Sequence, residues 1–143
     1  MTSDPRLLRV QQFYETLTPD SLAAIGEIYA DDAWFKDPFN EVRGVAAVRR
    51  VFEHMYTQVD TPRFVVRHAV AQGDEAFLVW EFHFRMKRSP QRDETIRGAT
   101  HILFTRDGRV AHHRDYWDAA EELYEKLPLL GGLMRWIRRR AAS

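Results

Sequence analysis

The segment EIYADDAWFKDPFNEVRGVAAVRRVFEHMY, residues 27–56, carries the decision about fold. Its first residues continue an apolar helical stripe (Leu22, Ile25, Ile28), and a helix is expected to end at the acidic pair Asp31-Asp32. Two large aromatics, Trp34 and Phe35, then lead into Asp37-Pro38 and a turn-rich stretch. Gly44 opens a second helix with Val45, Val48, Phe52, Met55 and Val59 on one side. One carboxylate, Asp37, is thereby set at the junction of two packed helices, beside aromatic rings. That is the make-up of a pocket floor.

Upstream, Ser3-Asp4-Pro5 combines a capping side chain with a proline whose missing N–H would be unpaired anyway, and so starts a helix. Leu7, Val10, Tyr14 and Leu17 follow at helical spacing, and Thr18-Pro19-Asp20 starts the next helix. Downstream of Pro62 the period changes from helical to alternating. Strands are expected over 63–71, 76–87, 96–105 and 109–117, with Gly73-Asp74 and Asp107-Gly108 as turns and 89–93 as a polar connection. Helices followed by antiparallel strands define an α+β chain with its helices on one face of a sheet. A single domain over 1–143 is expected, with 118–143 as a helical extension. Asp118 and Glu121 form a capping-box-like start, and the basic LMRWIRRR ends the chain. Such a helix could lie on a membrane surface, but docking on protein with its arginines solvated is the expected role.

Composition removes several classes. Lys+Arg and Asp+Glu both number 21, so no excess positive charge exists to meet nucleic-acid phosphates. With no cysteine, disulfides, thiolate nucleophiles and Cys-based zinc sites are out, and a reducing cytoplasm is the simplest setting. No segment has the apolar length of a membrane span, and the N-terminus lacks a signal-peptide run. Glycine-rich phosphate loops and nucleophile elbows are also missing.

Asp37 has two readings: a turn-forming aspartate before proline, or a general base whose aromatic surroundings strip it of water. On the strand at 76–87, Leu78, Trp80, Phe82, Phe84 and Met86 share one face; Phe77, Val79, Glu81, His83 and Arg85 share the other. Taken alone, the alternation buries the apolar face and solvates Glu81 and His83. On the last strand His113 and Asp115 point the same way with Trp117, a set suited to acid/base work. They could also ligate zinc, but their spacing matches no metal signature, and no metal or cofactor is expected.

The stretch Ala30-Asp31-Asp32, Asp37-Pro38 and Gly44 through Val48 resembles the ketosteroid isomerase branch of the nuclear transport factor 2-like superfamily, which includes SnoaL-like polyketide cyclases. The resemblance runs to about Trp117. It implies a cone-shaped barrel, with three N-terminal helices over the concave face of a strongly curved, mainly antiparallel sheet. By position Asp37 falls on the isomerases' proton-shuttling base, and their oxyanion tyrosine falls on Phe13, one place from Tyr14. Their second oxyanion donor falls near Thr100. With those donors altered, a ketosteroid isomerase proper is not expected. The resemblance turns Val79, Glu81 and His83 into the cavity with Thr100, His113, Asp115 and Trp117, beside Phe13, Tyr14, Trp34, Phe52 and Met55. The stripe Leu78, Trp80, Phe82, Phe84 then lies on the convex side, covered by a homodimer contact. The expected function is proton transfer on a small lipophilic molecule, with Asp37 as base and His83, His113 or Asp115 as its partner. The alternative is a non-catalytic ligand-binding or dimerisation module.

Overall fold

The computed structural model describes residues 3–122, 136–137 and 139–141. Of the extension expected over 118–143, Ala119–Glu122 form a helical turn in which Asp118 accepts the Glu121 backbone N–H at 3.1 Å, and Trp136, Ile137 and residues 139–141 are helical; 123–135, with the apolar helix side expected there, lie outside the described residues.

Helix α1 (Pro5–Glu15) begins as its sequence dictates: the Asp4 carboxylate accepts the Arg6 backbone N–H at 2.9 Å, with Pro5 in the first turn. It buries Leu7, Val10, Phe13 and Tyr14. The Arg6 guanidinium returns to Asp4 at 2.8 Å, reaches Asp74 at 2.7 Å and lies over the Phe104 ring, which ties α1 to the sheet. Arg6 holds the Asp4 carboxyl down to about 2 from an ordinary 3.8. A carboxylate depressed in this way contributes stability above its unfolded pKa and loses it as pH falls through the folded one. Asp4→Asn keeps a capping oxygen but loses the charge. It should cost less than about 1 kcal/mol at neutral pH, because the pair is partly solvated. The difference from the wild type in urea denaturation should close as pH falls from about 4 to 2.

After a 3₁₀ turn (Asp20–Ala24), α2 is short (Ile25–Ile28), and Leu22, Ile25 and Ile28 are buried as their spacing requires. The helix does not continue to Asp31-Asp32. At Tyr29 the backbone becomes extended and β1 (Tyr29–Lys36) begins, because Tyr29, Ala33 and Phe35, at even spacing, share one buried face of a strand, while a register irregularity between Tyr29 and Trp34 accompanies the exposure of Asp31, which has the same parity. β2 (Glu41–Arg43) folds back on β1, and α3 (Val45–Gln58) buries Val48 and Phe52. Gly44 precedes α3 at φ 99°, a backbone state open to glycine, and its N–H donates to the Ala33 carbonyl at 2.8 Å.

Four long strands follow: β3 (Val59–Gln72), β4 (Glu75–Met86), β5 (Ser89–Phe104) and β6 (Val110–Tyr116). β3 starts before Pro62, with Val59 closing the α3 end. Residues 89–93 extend β5 rather than forming a loop, since Met86 pairs directly with Ser89. The sheet order is β2-β1-β6-β5-β4-β3, antiparallel except for the parallel β1–β6 pair. The helices cover one face of this mixed sheet.

The pairing fixes which side chains share that covered face. Leu78 stands opposite Thr100, and Thr100 opposite Asp115; Trp80 stands opposite Gly98, and Phe82 opposite Ile96. Leu78, Trp80, Phe82 and Phe84 are buried, whereas Phe77 and Val79 are 46% and 43% exposed. The apolar stripe of β4 therefore faces the helices, and the convex-side placement that the family resemblance implied is corrected. Burial of four large apolar side chains decides the matter, at about 1.5–3 kcal/mol for each. The alternation of β4 by itself reads correctly.

Candidate active site

Between α1, α3 and the sheet lies a cavity of about 220 Å³. Its walls are Tyr14, Phe35, Phe52, Met55, Phe64, the β4 stripe and Trp117. The polar groups that reach it include Thr100, His113, Asp115, Asp37 and Asn40.

A continuous hydrogen-bonded chain runs behind this surface. The Tyr29 hydroxyl lies 2.9 Å from His113 Nδ1, and His113 Nε2 lies 2.7 Å from Asp115 Oδ1. Facing a carboxylate, Nε2 carries the hydrogen; Nδ1 then accepts from Tyr29, whose single proton is thereby committed. Tyr14, in a close hydroxyl contact with Tyr29, must donate to it. From the other side the Trp80 indole N–H donates to Thr100 Oγ1 at 2.7 Å, and Thr100 donates to Asp115 Oδ1 at 2.6 Å. Two of these protons, on His113 Nε2 and Thr100 Oγ1, go to one oxygen, Asp115 Oδ1, and the others support those two donors from behind. The twin oxygen, Oδ2, takes no hydrogen bond among the described residues. Burial pushes the Tyr14 and Tyr29 phenols well above their ordinary value, so both stay protonated donors. Phe35 stacks on the His113 ring at 4.6 Å and fixes its plane. The linked groups polarise one another in a medium of low dielectric, which stiffens the arrangement.

The chain exists because of local sequence choices. His113 and Asp115 are two residues apart on β6, Thr100 sits opposite Asp115, and Tyr29 opens β1 beside β6. Gly98 lets the Trp80 ring pass over the β5 backbone. A Cβ there would lie 2.6 Å from the indole and 3.1 Å from the Tyr116 carbonyl. Gly98→Ala should therefore displace Trp80 and cost about 1–3 kcal/mol by overpacking. Thermal melts together with a shift in tryptophan emission would register it.

Tyr14, Phe52, Met55, Thr100, His113, Asp115 and Trp117, all expected at the cavity, line it. Asp37 lines its mouth, with its carboxylate engaged by the Phe39 and Asn40 backbone N–H groups at 2.8 and 2.7 Å and by the Asn40 amide. It is a turn-forming aspartate that also faces the cavity. Five of the expected residues stand elsewhere. His83 lies on the outer face of β4, between Glu81 at 2.9 Å and Thr95 at 3.0 Å. Glu81 is held at about 2, by Arg67 foremost and then by His83, and is a surface ion-pair partner. Val79 is exposed on the same face, because odd positions of β4 point away from the helices. Phe13 packs in the core edge-on to Tyr14, on the side of α1 away from the cavity lining. Trp34 alternates with Phe35, so it stacks on His112 at 4.7 Å and donates to Glu41 at 3.3 Å. Tyr29 and Trp80 are the functional candidates that sequence reasoning placed elsewhere. The signal for Tyr29 was its own β-propensity and the even spacing of Tyr29, Ala33 and Phe35.

Among the described residues no group of three or more His, Asp or Glu side chains is placed to hold a metal, and no helix is long and apolar enough to cross a membrane.

An α+β cone with an apolar cavity between helices and sheet is the architecture of nuclear transport factor 2-like proteins, and solved structures agree. A hypothetical protein with a ketosteroid isomerase-like fold from Catenulispora acidiphila, in complex with trimethylamine, superposes with a TM-score of 0.72 at 16% identity, covering 85% of this chain and 92% of its own. A putative SnoaL-like polyketide cyclase from Shewanella denitrificans gives 0.66 at 19% identity over 84% and 98%. An epoxide hydrolase-like protein of M. tuberculosis gives 0.68 at 16% over 82% and 81%. The SnoaL-like domain model matches residues 10–113, and the chain belongs to that family. No curated protein is significantly similar to it.

Proposed function

We propose that the protein removes a proton from a small lipophilic molecule, with Asp115 Oδ2 as the general base. The carrying observation is the convergence of two donors on Asp115 Oδ1, which leaves the other oxygen of a carboxylate that lines the apolar cavity without a hydrogen bond among the described residues. Proton transfer is fastest when the base is preorganised and shielded from water. His113, backed by Tyr29, keeps the carboxylate in one orientation; Tyr14 anchors the far end of the chain. A cavity of about 220 Å³ is smaller than the roughly 300–1,000 Å³ of drug-sized sites, which limits the substrate to a molecule of no more than about two rings in size. The cyclase and epoxide hydrolase named among the solved relatives, and the small molecule held by a third, support a small organic substrate.

The assay needs no knowledge of the physiological substrate. In 5-nitrobenzisoxazole, removal of the ring C–H proton forms a nitrile as the N–O bond breaks, and the released phenolate is read by absorbance. The wild type should accelerate this opening beyond an equal concentration of acetate, and Asp37→Asn should retain most of the gain. Absence of acceleration would reject the base; transfer of the whole effect to Asp37 would reassign it.

A second copy of the chain is proposed to cover the outer face of the sheet. There Val70, Phe77, Val79, Leu103 and Tyr116 are exposed side by side on neighbouring strands. The contact is thus built from the odd positions of β4, not from the tryptophan-bearing stripe. Phe77→Glu should convert dimers to monomers in sedimentation with stability changed by less than about 0.5 kcal/mol. A dimer indifferent to this change would remove the outer face from consideration.

A further inference from the structure

Every fixed charge that borders the cavity is negative. No described Lys or Arg lines it; its ionisable groups are Asp37, Asp115, His54 and His113. The two carboxylates are neighbours, because the parallel pairing of Lys36 with Arg114 brings Asp37 and Asp115 to adjacent chain ends. The nearest cations are turned elsewhere: Lys36 pairs with Glu41 at 3.1 Å, and the Arg114 guanidinium lies over the Tyr116 ring at 4.7 Å. Neither Asp37 nor Asp115 is ion-paired with a described Lys or Arg. Phe39 and Trp117, edge to face at 5.5 Å, wall the same end. The last turn of α3, with Met55 and Gln58 at the cavity and no basic residue, adds the negative end of a helix dipole.

Such a cavity discriminates by charge. An anion would be desolvated beside two carboxylates with no countercharge, at a cost of several kcal/mol. A neutral ligand would leave those carboxylates hydrogen-bonded but without a countercharge. A cation satisfies them and meets aromatic rings whose faces attract positive charge. We infer that the ligand is a lipophilic ammonium ion: a ring body among Phe52, Phe64 and Phe82, with a protonated amine at the mouth between Asp37 and Asp115. This rests on reading the cavity as the ligand site. It goes further by fixing the charge and orientation of what enters.

Three probes with one ring system test it: 1-naphthylmethylamine, 1-naphthylmethanol and 1-naphthoate, titrated at neutral pH against the tryptophan emission of the full chain. The amine should bind tighter than the alcohol by roughly tenfold, the excess of an ion pair over a hydrogen bond from an uncharged donor, and the carboxylate weakest of all. Asp37→Asn and Asp115→Asn should each shrink the gap between amine and alcohol, while a melting curve close to that of the wild type certifies the fold. Alcohol binding as tight as amine binding, or an amine preference that survives the double variant, would overturn the inference. Its failure is separable from that of the base: benzisoxazole opening without amine preference leaves Asp115 as base, and amine preference without opening leaves a cation-binding cavity.

Discussion

Replacement of Asp115 by Asn is expected to lower the rate of benzisoxazole opening by roughly 10²–10⁴-fold, the range that a positioned general base contributes. The substitution is nearly isosteric, and the new amide oxygen can still accept from His113 Nε2 and Thr100 Oγ1. Fold and cavity should therefore persist, and a melting curve close to that of the wild type is part of the expected result. What changes is the group aimed at the ligand: a carboxylate oxygen becomes an amide nitrogen, which cannot take a proton. Asp37→Asn makes the same chemical change a short distance away, yet Asn can hold the same turn with its own side-chain oxygen. A loss as large in Asp37→Asn as in Asp115→Asn would mean that the two carboxylates act together. A full rate in Asp115→Asn would sink the assignment.

The elements of this fold were mostly legible because they rest on local chemistry. Asp4-Pro5 starts α1, Gly44 opens α3 at a positive φ, and Asp107-Gly108 closes the β5–β6 hairpin. His113, Asp115 and Trp117 were legible as one face by simple alternation. The errors arose where a residue's neighbours are distant in the chain. Tyr29 joins β1 through its pairing with Val110, eighty-one positions on, and nothing within the helical stripe before it announces that partner. Family likeness places His83 inward, whereas the odd positions of β4 point away from the helices. The alternation of β4 contradicted that likeness, and the physical signal was the sounder one. Asp37 illustrates a third case. Sequence offers both a turn and a base, and the structure shows the turn made, with the carboxylate still facing the cavity mouth.

Trp80 concentrates these lessons, and Trp80→Ala is expected to cost about 3–5 kcal/mol in urea denaturation, the range for removing a buried aromatic. The ring is 7% exposed, packs edge-on against Phe64 at 5.9 Å, and lies over Gly98. Its loss merges a new void with the existing cavity, which lowers stability twice, through lost transfer energy and lost contacts. Trp80→Phe should be much milder, since it keeps most of the ring and removes only the N–H donated to Thr100; Thr100 can still donate to Asp115. The control is Val79→Ala, one residue away but exposed, for which a change below about 0.5 kcal/mol is expected. Were the stripe on the outside, the ranking would invert: Trp80→Ala would leave the monomer's stability nearly untouched and weaken dimerisation instead. Unfolding and sedimentation measured on the same three variants thus decide which face of β4 builds the cavity, and with it whether Thr100 and Asp115 are held from behind.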